Sequence, residues 1–585
     1  MSDNLHLAWA RLFLRAAAQS GVSEVVLSPG SRSTPLAIEA AASGLTVHVV
    51  VDERAAGFFA LGQARVTGRP SLLVCTSGTA GAHYLPAVIE AAQSFVPMLV
   101  CTADRPYELQ DAAAPQTIDQ IKLFGDFVRH FAELGLPDAS PGALASVTRI
   151  AAQAVARSLG PTPGPVHVNA RFRKPLEPVA VAGPSAWEPA VEALLARGPT
   201  RVLAASRAPD AAAMDELAAR LAAAERGVIV CGPAPASQAE GRDAILELAR
   251  TTGFPLFAEG PSQVRFGGDR AGVVTVSSFD ALLRARGFVA RHAPEVILEL
   301  GAPPTSGAYA AFLGAHANVP RFVVAAHGWN DPTSRATALV EGEPAEVARE
   351  IVRRLPKRVA ASSYAEAFAR ADAVAGSLVE RAAAAPVLSE GAVARSLVSA
   401  CPERATLVIG NSTPVRDLDA YCPASSRALT VLHQRGASGI DGLVSGAAGA
   451  RSVSTEPIAL LLGDVSLLHD LTGLVLARRP GSGPFVIVVV NNGGGRIFDQ
   501  LPIAGSWEPE LFERYFATHE AVRFSDAAAA FGVGYACAQD RASLDAALAK
   551  AFASSGATLI EALAPPRAGA VTLKRIWSEL ATELG

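Results

Sequence analysis

Half of the 585 residues are apolar and the net charge is −4. That is enough hydrophobic surface for several cores, and with no basic block it excludes nucleic acid as a partner. No unbroken apolar run is long enough to span a bilayer, and Asp3, Arg11 and Arg15 interrupt the first apolar stretch, which argues against a signal peptide and against a membrane partner. Cys75, Cys101, Cys231, Cys401, Cys422 and Cys537 lie mostly in or beside apolar runs and form no CxxC pair. That usage fits reduced, buried thiols in a cytoplasmic protein.

Leu5, Trp9, Leu12 and Phe13 recur at helical spacing behind a capping Asn4. Strands are then expected at 24–27, 47–51, 71–75 and 98–101, alternating with helices after Ser33, from Glu53 and after Thr79. This is a parallel, doubly wound pattern. Each strand ends in polar or Gly-rich residues: Ser28-Pro29-Gly30-Ser31-Arg32, Asp52-Glu53-Arg54, Thr76-Ser77-Gly78-Thr79 and Ala103-Asp104-Arg105-Pro106. Four such loops on one sheet edge make a composite site. On its own Glu53 is a first-turn glutamate that favours the helix dipole. Arg32 and Arg105 read either as surface arginines or as forks aimed at a carboxylate. Gln116 is a loop amide able to hydrogen-bond a ligand.

A Pro/Ala-rich passage at 175–189 reads as a linker. Strands are expected at 227–231, 255–257, 295–300 and 321–325. No GxGxxG follows any of them, so this second domain, about 190–355, lacks an intact dinucleotide fingerprint and reads as a structural spacer. An Ala-rich helix over about 360–385 leads out of it.

The last domain, about 386–585, carries strands at 406–409 and 429–432, followed by Gly410-Asn411-Ser412-Thr413-Pro414-Val415-Arg416 and His433-Gln434-Arg435-Gly436-Ala437-Ser438-Gly439-Ile440-Asp441-Gly442. Ser412 and Arg416, four residues apart, are placed to share a helix face. Two continuous apolar runs follow, 458–462 and 485–490, as in parallel strands covered on both faces. A helix is expected between them over 466–478. The first run ends in Gly463-Asp464 and the second in Asn491-Asn492-Gly493-Gly494-Gly495. A carboxylate, an amide oxygen and the Gly494 carbonyl at two strand ends suit Mg²⁺ with ligand phosphates completing its shell. The helix amino end near Ser466 adds N–H groups for a diphosphate.

The Gly-Asp and Asn-Asn pairs, one βαβ unit apart, resemble the metal-diphosphate motif of thiamine diphosphate enzymes. The segment Val51-Asp52-Glu53-Arg54-Ala55-Ala56-Gly57-Phe58-Phe59 resembles the one that carries their cofactor-activating glutamate. Arg435-Gly436-Ala437-Ser438-Gly439-Ile440-Asp441-Gly442, the Asn411-Ser412 and Asn491-Asn492 segments, Ser28-Pro29-Gly30-Ser31-Arg32-Ser33 and Gly164-Pro165-Val166-His167-Val168-Asn169 narrow the likeness. Together they resemble the menaquinone-pathway branch, the 2-succinyl-5-enolpyruvyl-6-hydroxy-3-cyclohexene-1-carboxylate (SEPHCHC) synthases.

The resemblance implies three doubly wound parallel-sheet α/β domains: 1–180 for the pyrimidine end of the cofactor, 190–355 as a central domain, and 386–585 for the diphosphate and Mg²⁺ (or Mn²⁺). It implies decarboxylation of 2-oxoglutarate and Stetter-like 1,4-addition of the succinyl carbanion to isochorismate, in a homodimer or homotetramer with active sites between subunits. Glu53 would activate the cofactor, and Ser77, Gly78, Ser412, Ile440, Ser466, Ile497 and Phe498 would help to hold it. Asp464, Asn492 and Gly494 would bind the metal. Ser31, Arg32, Arg105, Gln116, Ser412, Arg416, Arg435, Ile497 and Phe498 would line the substrate pocket, with Arg32, Gln116, Arg416 and Arg435 acting in catalysis. Two positions depart from the family pattern: Gly307-Ala308 where basic residues are usual, and His83-Tyr84 where Asn is common. Another carboligase or decarboxylase of the superfamily, or a catalytically silent relative, is the alternative.

Overall fold

The computed structural model describes residues 4–180, 183–205, 208–356 and 362–585. The chain divides into two compact units. One comprises Met1–Ala205, Gln434–Ser454 and Thr472–Ala477, the other Ser206–His433, Thr455–Leu471 and Arg478–Gly585.

The first unit is built on a parallel sheet in the order β2-β1-β3-β4-β6-β5. Its strands are β1 (Glu24–Leu27), β2 (Thr46–Val49), β3 (Ser71–Cys75), β4 (Met98–Asp104), β5 (His130–Gly135) and β6 (Pro165–Arg171). The N-terminal helix Leu5–Gln19 is capped as expected, with the Leu7 N–H donating to Asn4 Oδ1 at 3.1 Å. It buries Trp9, Leu12 and Phe13 in the core of this unit. The helix Glu53–Thr67 begins at the expected glutamate. The helix after Thr79 stops at Ala82 and restarts at Leu85–Gln93, where Pro86 sets its first turn. Strands β5 and β6 had no strong signal. β5 is an edge strand with Ala and Glu among its residues, so neither burial nor β-propensity marks it.

The second unit holds two parallel sheets. One runs β11-β10-β9-β7-β8, from β7 (Gly227–Cys231), β8 (Leu256–Ala258), β9 (Val296–Leu300), β10 (Arg321–Ala325) and β11 (Ala338–Glu341). The other runs β13-β12-β14-β15-β17-β16, from β12 (Thr406–Ile409), β13 (Thr430–His433), β14 (Ile458–Gly463), β15 (Phe485–Asn491), β16 (Gly534–Ala538) and β17 (Ala557–Leu563). Strands β14 and β15 pair in parallel and are buried nearly throughout, as their unbroken apolar runs predict.

The helix expected over 466–478 is not continuous. An α-helix covers Asp464–His469, a 3₁₀ turn Leu471–Gly473 and a short helix Leu474–Ala477. Asp470 ends the first piece, and Thr472 and Gly473 are weak helix formers. Ser412 also lies outside the helix it was expected to share with Arg416. It sits at φ +72° just before Thr413–Tyr421. The Ala-rich helix is described from Ser363 to Ala383. Its expected start at Ala360, like residues 181 and 182 of the linker and Asp3, lies outside the described residues. Among the described residues no helix is long and apolar enough to cross a membrane. The six cysteines are free, five of them buried and Cys537 exposed.

Candidate active site

In the first unit the loops at the carboxyl edge of the sheet carry the candidates. Asp52 caps the helix Glu53–Thr67, its Oδ1 accepting from the Arg54 N–H at 3.0 Å, and it also pairs with the Arg54 guanidinium at 2.8 Å. Capping thus falls to Asp52, and the half-buried Glu53 carboxylate has no hydrogen-bond or ion-pair partner among the described residues. Its charge is felt by the buried Cys75 thiol and Tyr84 hydroxyl, both held protonated chiefly by burial.

The loop after β3 turns at Gly78, φ +86°. The Gly78 N–H donates to Gln120 Oε1 at 2.9 Å, and Gln116 Nε2 donates to the Ser77 carbonyl at 3.2 Å. Gln116 itself holds φ +59°. Gln116 and Ser412, two candidates named from sequence, thus both have positive φ without being glycine, a strain that persists where surroundings impose it and that clusters at functional sites. A buried polar chain fixes this edge. Gln120 Nε2 donates to Asn169 Oδ1 (3.0 Å), Asn169 Nδ2 to Asp104 Oδ2 (3.0 Å), and Asp104 pairs with Arg171 at 2.8 Å.

Arg32 is buried, and its Nη1 donates to the Phe172 carbonyl at 2.7 Å while Nε has no partner. Arg105 donates to Ser77 Oγ. Neither guanidinium has an ion-pair partner among the described residues. Burial, and then the repulsion of Arg105, lowers the Arg32 pKa, while burial lowers that of Arg105. The Asp104 carboxylate opposes both shifts but is itself paired with Arg171, so the two guanidiniums keep donors that suit an anion. Ser31 lies exposed beside them.

Arg435 and the half-buried Ile440 stand in the loop after Gln434, which belongs to the same unit. This loop is tied by Glu90, a residue the sequence did not single out. Its oxygens accept from the Gly436 N–H at 3.1 Å and the Ala437 N–H at 2.6 Å. The helix that follows, Leu443–Ser452, packs on Glu53–Thr67 through glycines. A Cβ on Gly62 would strike the Gly446 carbonyl, and one on Gly449 the Phe59 carbonyl. The spacing Gly446-x-x-Gly449 was the available signal for this close approach.

In the second unit the loops after β12, β14 and β15 carry the rest. Arg416 Nη1 donates to the Ser412 carbonyl at 2.7 Å, which fastens the positive-φ turn. Asp464 opens its helix, and its two oxygens accept from the Val465 and Gly494 N–H groups, both at 2.8 Å. Ser466 is buried in the first turn of that helix. Burial pushes the Asp464 carboxyl up, against those two hydrogen bonds. Asn492 is buried, and its Nδ2 donates to Glu390 Oε1 at 2.9 Å, which leaves the amide oxygen as its available acceptor. The Gly494 carbonyl accepts from the Arg496 N–H at 2.8 Å and keeps a second lone pair. Ile497 and Phe498 lie half-buried on the 3₁₀ turn Arg496–Gln500, with Phe498 edge-on to Phe516 at 5.3 Å.

One desolvated carboxylate, one oriented amide and one backbone carbonyl fit a hard divalent cation with an incomplete protein shell. Among the described residues no group of three or more His, Cys, Asp or Glu side chains is gathered to hold a metal. Of the two departures, Ala308 is buried and Gly307 starts the helix Gly307–Ala315 behind its Ser306 cap. Neither supplies a cation. His83 is exposed, and Tyr84 is buried with its hydroxyl donating to Ser28 Oγ at 3.3 Å.

Each unit carries its own candidates at the carboxyl edge of a parallel sheet, and the matches with known proteins make the chain a thiamine diphosphate-dependent enzyme. Residues 8–123 match the thiamine pyrophosphate enzyme N-terminal TPP binding domain, and residues 420–562 the C-terminal TPP binding domain. The chain is 60% identical, over 99% of its length and 96% of the relative's, to the 2-succinyl-5-enolpyruvyl-6-hydroxy-3-cyclohexene-1-carboxylate synthase of Sorangium cellulosum (strain So ce56). It is 40% identical to that of Myxococcus xanthus (strain DK1622), over 100% of this chain and 98% of the relative. The protein belongs to this synthase family. Among solved structures, a putative thiamin diphosphate-dependent enzyme from Mycobacterium smegmatis superposes with a TM-score of 0.68 at 18% identity, over 96% of this chain and 100% of that one. Benzoylformate decarboxylase from Polynucleobacter necessarius gives 0.68 at 15%, over 95% and 98%. These two likenesses bear on the fold alone.

Proposed function

We propose that the protein decarboxylates 2-oxoglutarate and adds the resulting succinyl unit to isochorismate by 1,4-addition, yielding SEPHCHC and CO₂. The observation that carries this reading is the Arg32/Arg105 pair, two partly desolvated guanidiniums on the sheet edge that carries Glu53, whose one nearby acid, Asp104, is already paired with Arg171. Both substrates are dicarboxylates, which bidentate arginine recognises. Arg416 and Arg435 supply further cations for the second carboxylates, and Ser31, Ser412 and Gln116 supply hydrogen bonds.

Asp464, Asn492 and the Gly494 carbonyl would hold Mg²⁺ or Mn²⁺, and the first turn at Ser466 would face the diphosphate. Glu53 would hydrogen-bond the aminopyrimidine, Ser77 and Gly78 would lie beside it, and Ile440 would support the bent cofactor. Thiamine diphosphate supplies the electron sink for decarboxylation and carbon–carbon bond formation. The chain's own part is to bind and orient two dianions, exclude water and hold a proton at Glu53. Residues 1–180 serve the pyrimidine end, 386–585 the diphosphate end, and 190–355 the central domain. The working unit is a cytoplasmic homodimer or homotetramer in which the two cofactor ends come from different subunits.

The test follows isochorismate loss with thiamine diphosphate and Mg²⁺, with and without 2-oxoglutarate, beside Glu53→Gln. Consumption that needs both substrates and falls about 10²–10⁴-fold in the variant is expected. Release of CO₂ from 2-oxoglutarate with isochorismate left intact would remove the acceptor from the assignment.

A further inference from the structure

Asn492 offers a cation its amide oxygen only if the amide is turned the right way, and an amide has two nearly isosteric orientations. Glu390 decides between them. It is the first residue of the helix Glu390–Ala400, which is capped by Ser389. Its Oε1 accepts from Asn492 Nδ2 at 2.9 Å. Flipping the amide would set two oxygens against each other in a buried site, where both residues are at most 5% exposed.

Glu390 is costly to keep there. It has no ion-pair partner among the described residues, and its second oxygen, Oε2, has no hydrogen bond. That oxygen is pressed against Gly569 at the start of the helix Ala568–Leu584, where a Cβ would collide with it. Backbone N–H groups of Glu390 and Gly569 also favour the carboxylate, but the Asn492 amide is its one side-chain hydrogen-bond partner among the described residues, and the carboxyl group has its structural meaning in that amide.

We propose that Glu390 is a positioning residue for the divalent cation, acting through Asn492 by locking its carbonyl oxygen toward the site shared with Asp464 and Gly494. The inference rests on the cation assignment of the preceding subsection. A group that orients a metal ligand typically changes metal affinity 10–100-fold when removed.

The test uses the full chain stripped of metal and titrated with Mn²⁺ at saturating thiamine diphosphate, with free Mn²⁺ read by electron paramagnetic resonance. Glu390→Ala is expected to weaken Mn²⁺ binding about 10–100-fold. Glu390→Gln, whose amide oxygen still accepts from Asn492, is expected to stay within about threefold of wild type. If Glu390→Ala does not fold, Glu390→Met keeps the volume and gives the same reading. A fall in melting temperature with Mn²⁺ affinity unchanged, while Asp464→Ala loses the metal, overturns the proposal. If Asp464→Ala binds Mn²⁺ like wild type, the cation assignment itself fails.

Discussion

The Arg65 guanidinium donates to Glu90 Oε1 at 2.6 Å, and both side chains are buried, with relative exposures of 11% and 3%. The same carboxylate accepts from the Gly436 and Ala437 N–H groups, so one ion pair joins two helices and the loop that carries Arg435. Removing one partner of a buried pair leaves the other charge uncompensated. Glu90→Ala should cost about 3–5 kcal/mol in chemical denaturation. Replacing Arg65 and Glu90 together by Met and Leu should cost less than Glu90→Ala alone. Equal losses for the single and double variants would mean that the pair's charge is not what stabilises this loop.

Arg105 should act on substrate more than on fold. It donates to the Ser77 hydroxyl, and the buried Asp104 beside it keeps its pair with Arg171, so truncation leaves no acid unpaired. A hydrogen bond to a charged group contributes about 1.5–3 kcal/mol, so Arg105→Ala should lower kcat/KM about 10–100-fold. Arg105→Lys should recover only part of this, because an ammonium lacks the planar fork. The melting temperature should stay near wild type. A large melting shift without a change in KM for either dicarboxylate would make Arg105 structural.

Gly494 tests the metal loop. Its φ is +105°, and a Cβ there would strike the Ala517 carbonyl. That carbonyl already accepts from the Gly495 N–H at 2.6 Å, so it cannot withdraw freely. Gly494→Ala should therefore displace the loop from Asp464 and weaken Mg²⁺ binding about 5–150-fold, as strain of about 1–3 kcal/mol implies. Calorimetric titration with Mg²⁺ and thiamine diphosphate reads this directly. Unchanged affinity would show that the loop relaxes without moving its carbonyl.

Most of the parallel strands were legible because their apolar runs are unbroken, and β1, β3, β7, β10 and β12 begin and end where the runs do. The polar strand ends were legible for the same reason, since Asp52-Glu53, Gly463-Asp464 and Asn491-Asn492 each follow directly on an apolar run. What supports them was not. Glu90 and Glu390 look like ordinary helix glutamates in sequence, because their roles come from partners 346 and 102 residues away. β5 and β16 lie on sheet edges, where one-sided exposure erases the hydrophobic pattern. The break at Asp470 was missed because Leu471, Leu474 and Leu476 keep an apolar rhythm across it. Periodicity reports burial, while the helix is ended by the residues between.

Asp419 should give the protein a specific pH signature. Burial pushes its carboxyl up to about 6, opposed by Arg265 at 3.5 Å and by the Gly260 N–H, which donates to it at 2.6 Å. Glu259 and Asp280 are the other ionisable groups acting on it. In the unfolded chain the same group titrates near 3.9. Between these values the folded state binds the extra proton, so stability falls as pH rises from about 4 to about 6. Below that window both states are protonated, and above it the folded state carries the full cost of a buried carboxylate. Asp419→Asn keeps an acceptor for Gly260 and cannot ionise. Wild type should therefore lose stability relative to the variant across this window, by up to about 3 kcal/mol at neutral pH. Arg265 limits the size of the effect without reversing its sign, because its guanidinium also donates to the Cys422, Ala258, Ser277 and Asp419 carbonyls and stays satisfied in the variant. Urea midpoints measured from pH 4 to 8 for both proteins check this, and parallel curves would mean that Asp419 is already ionised at pH 4.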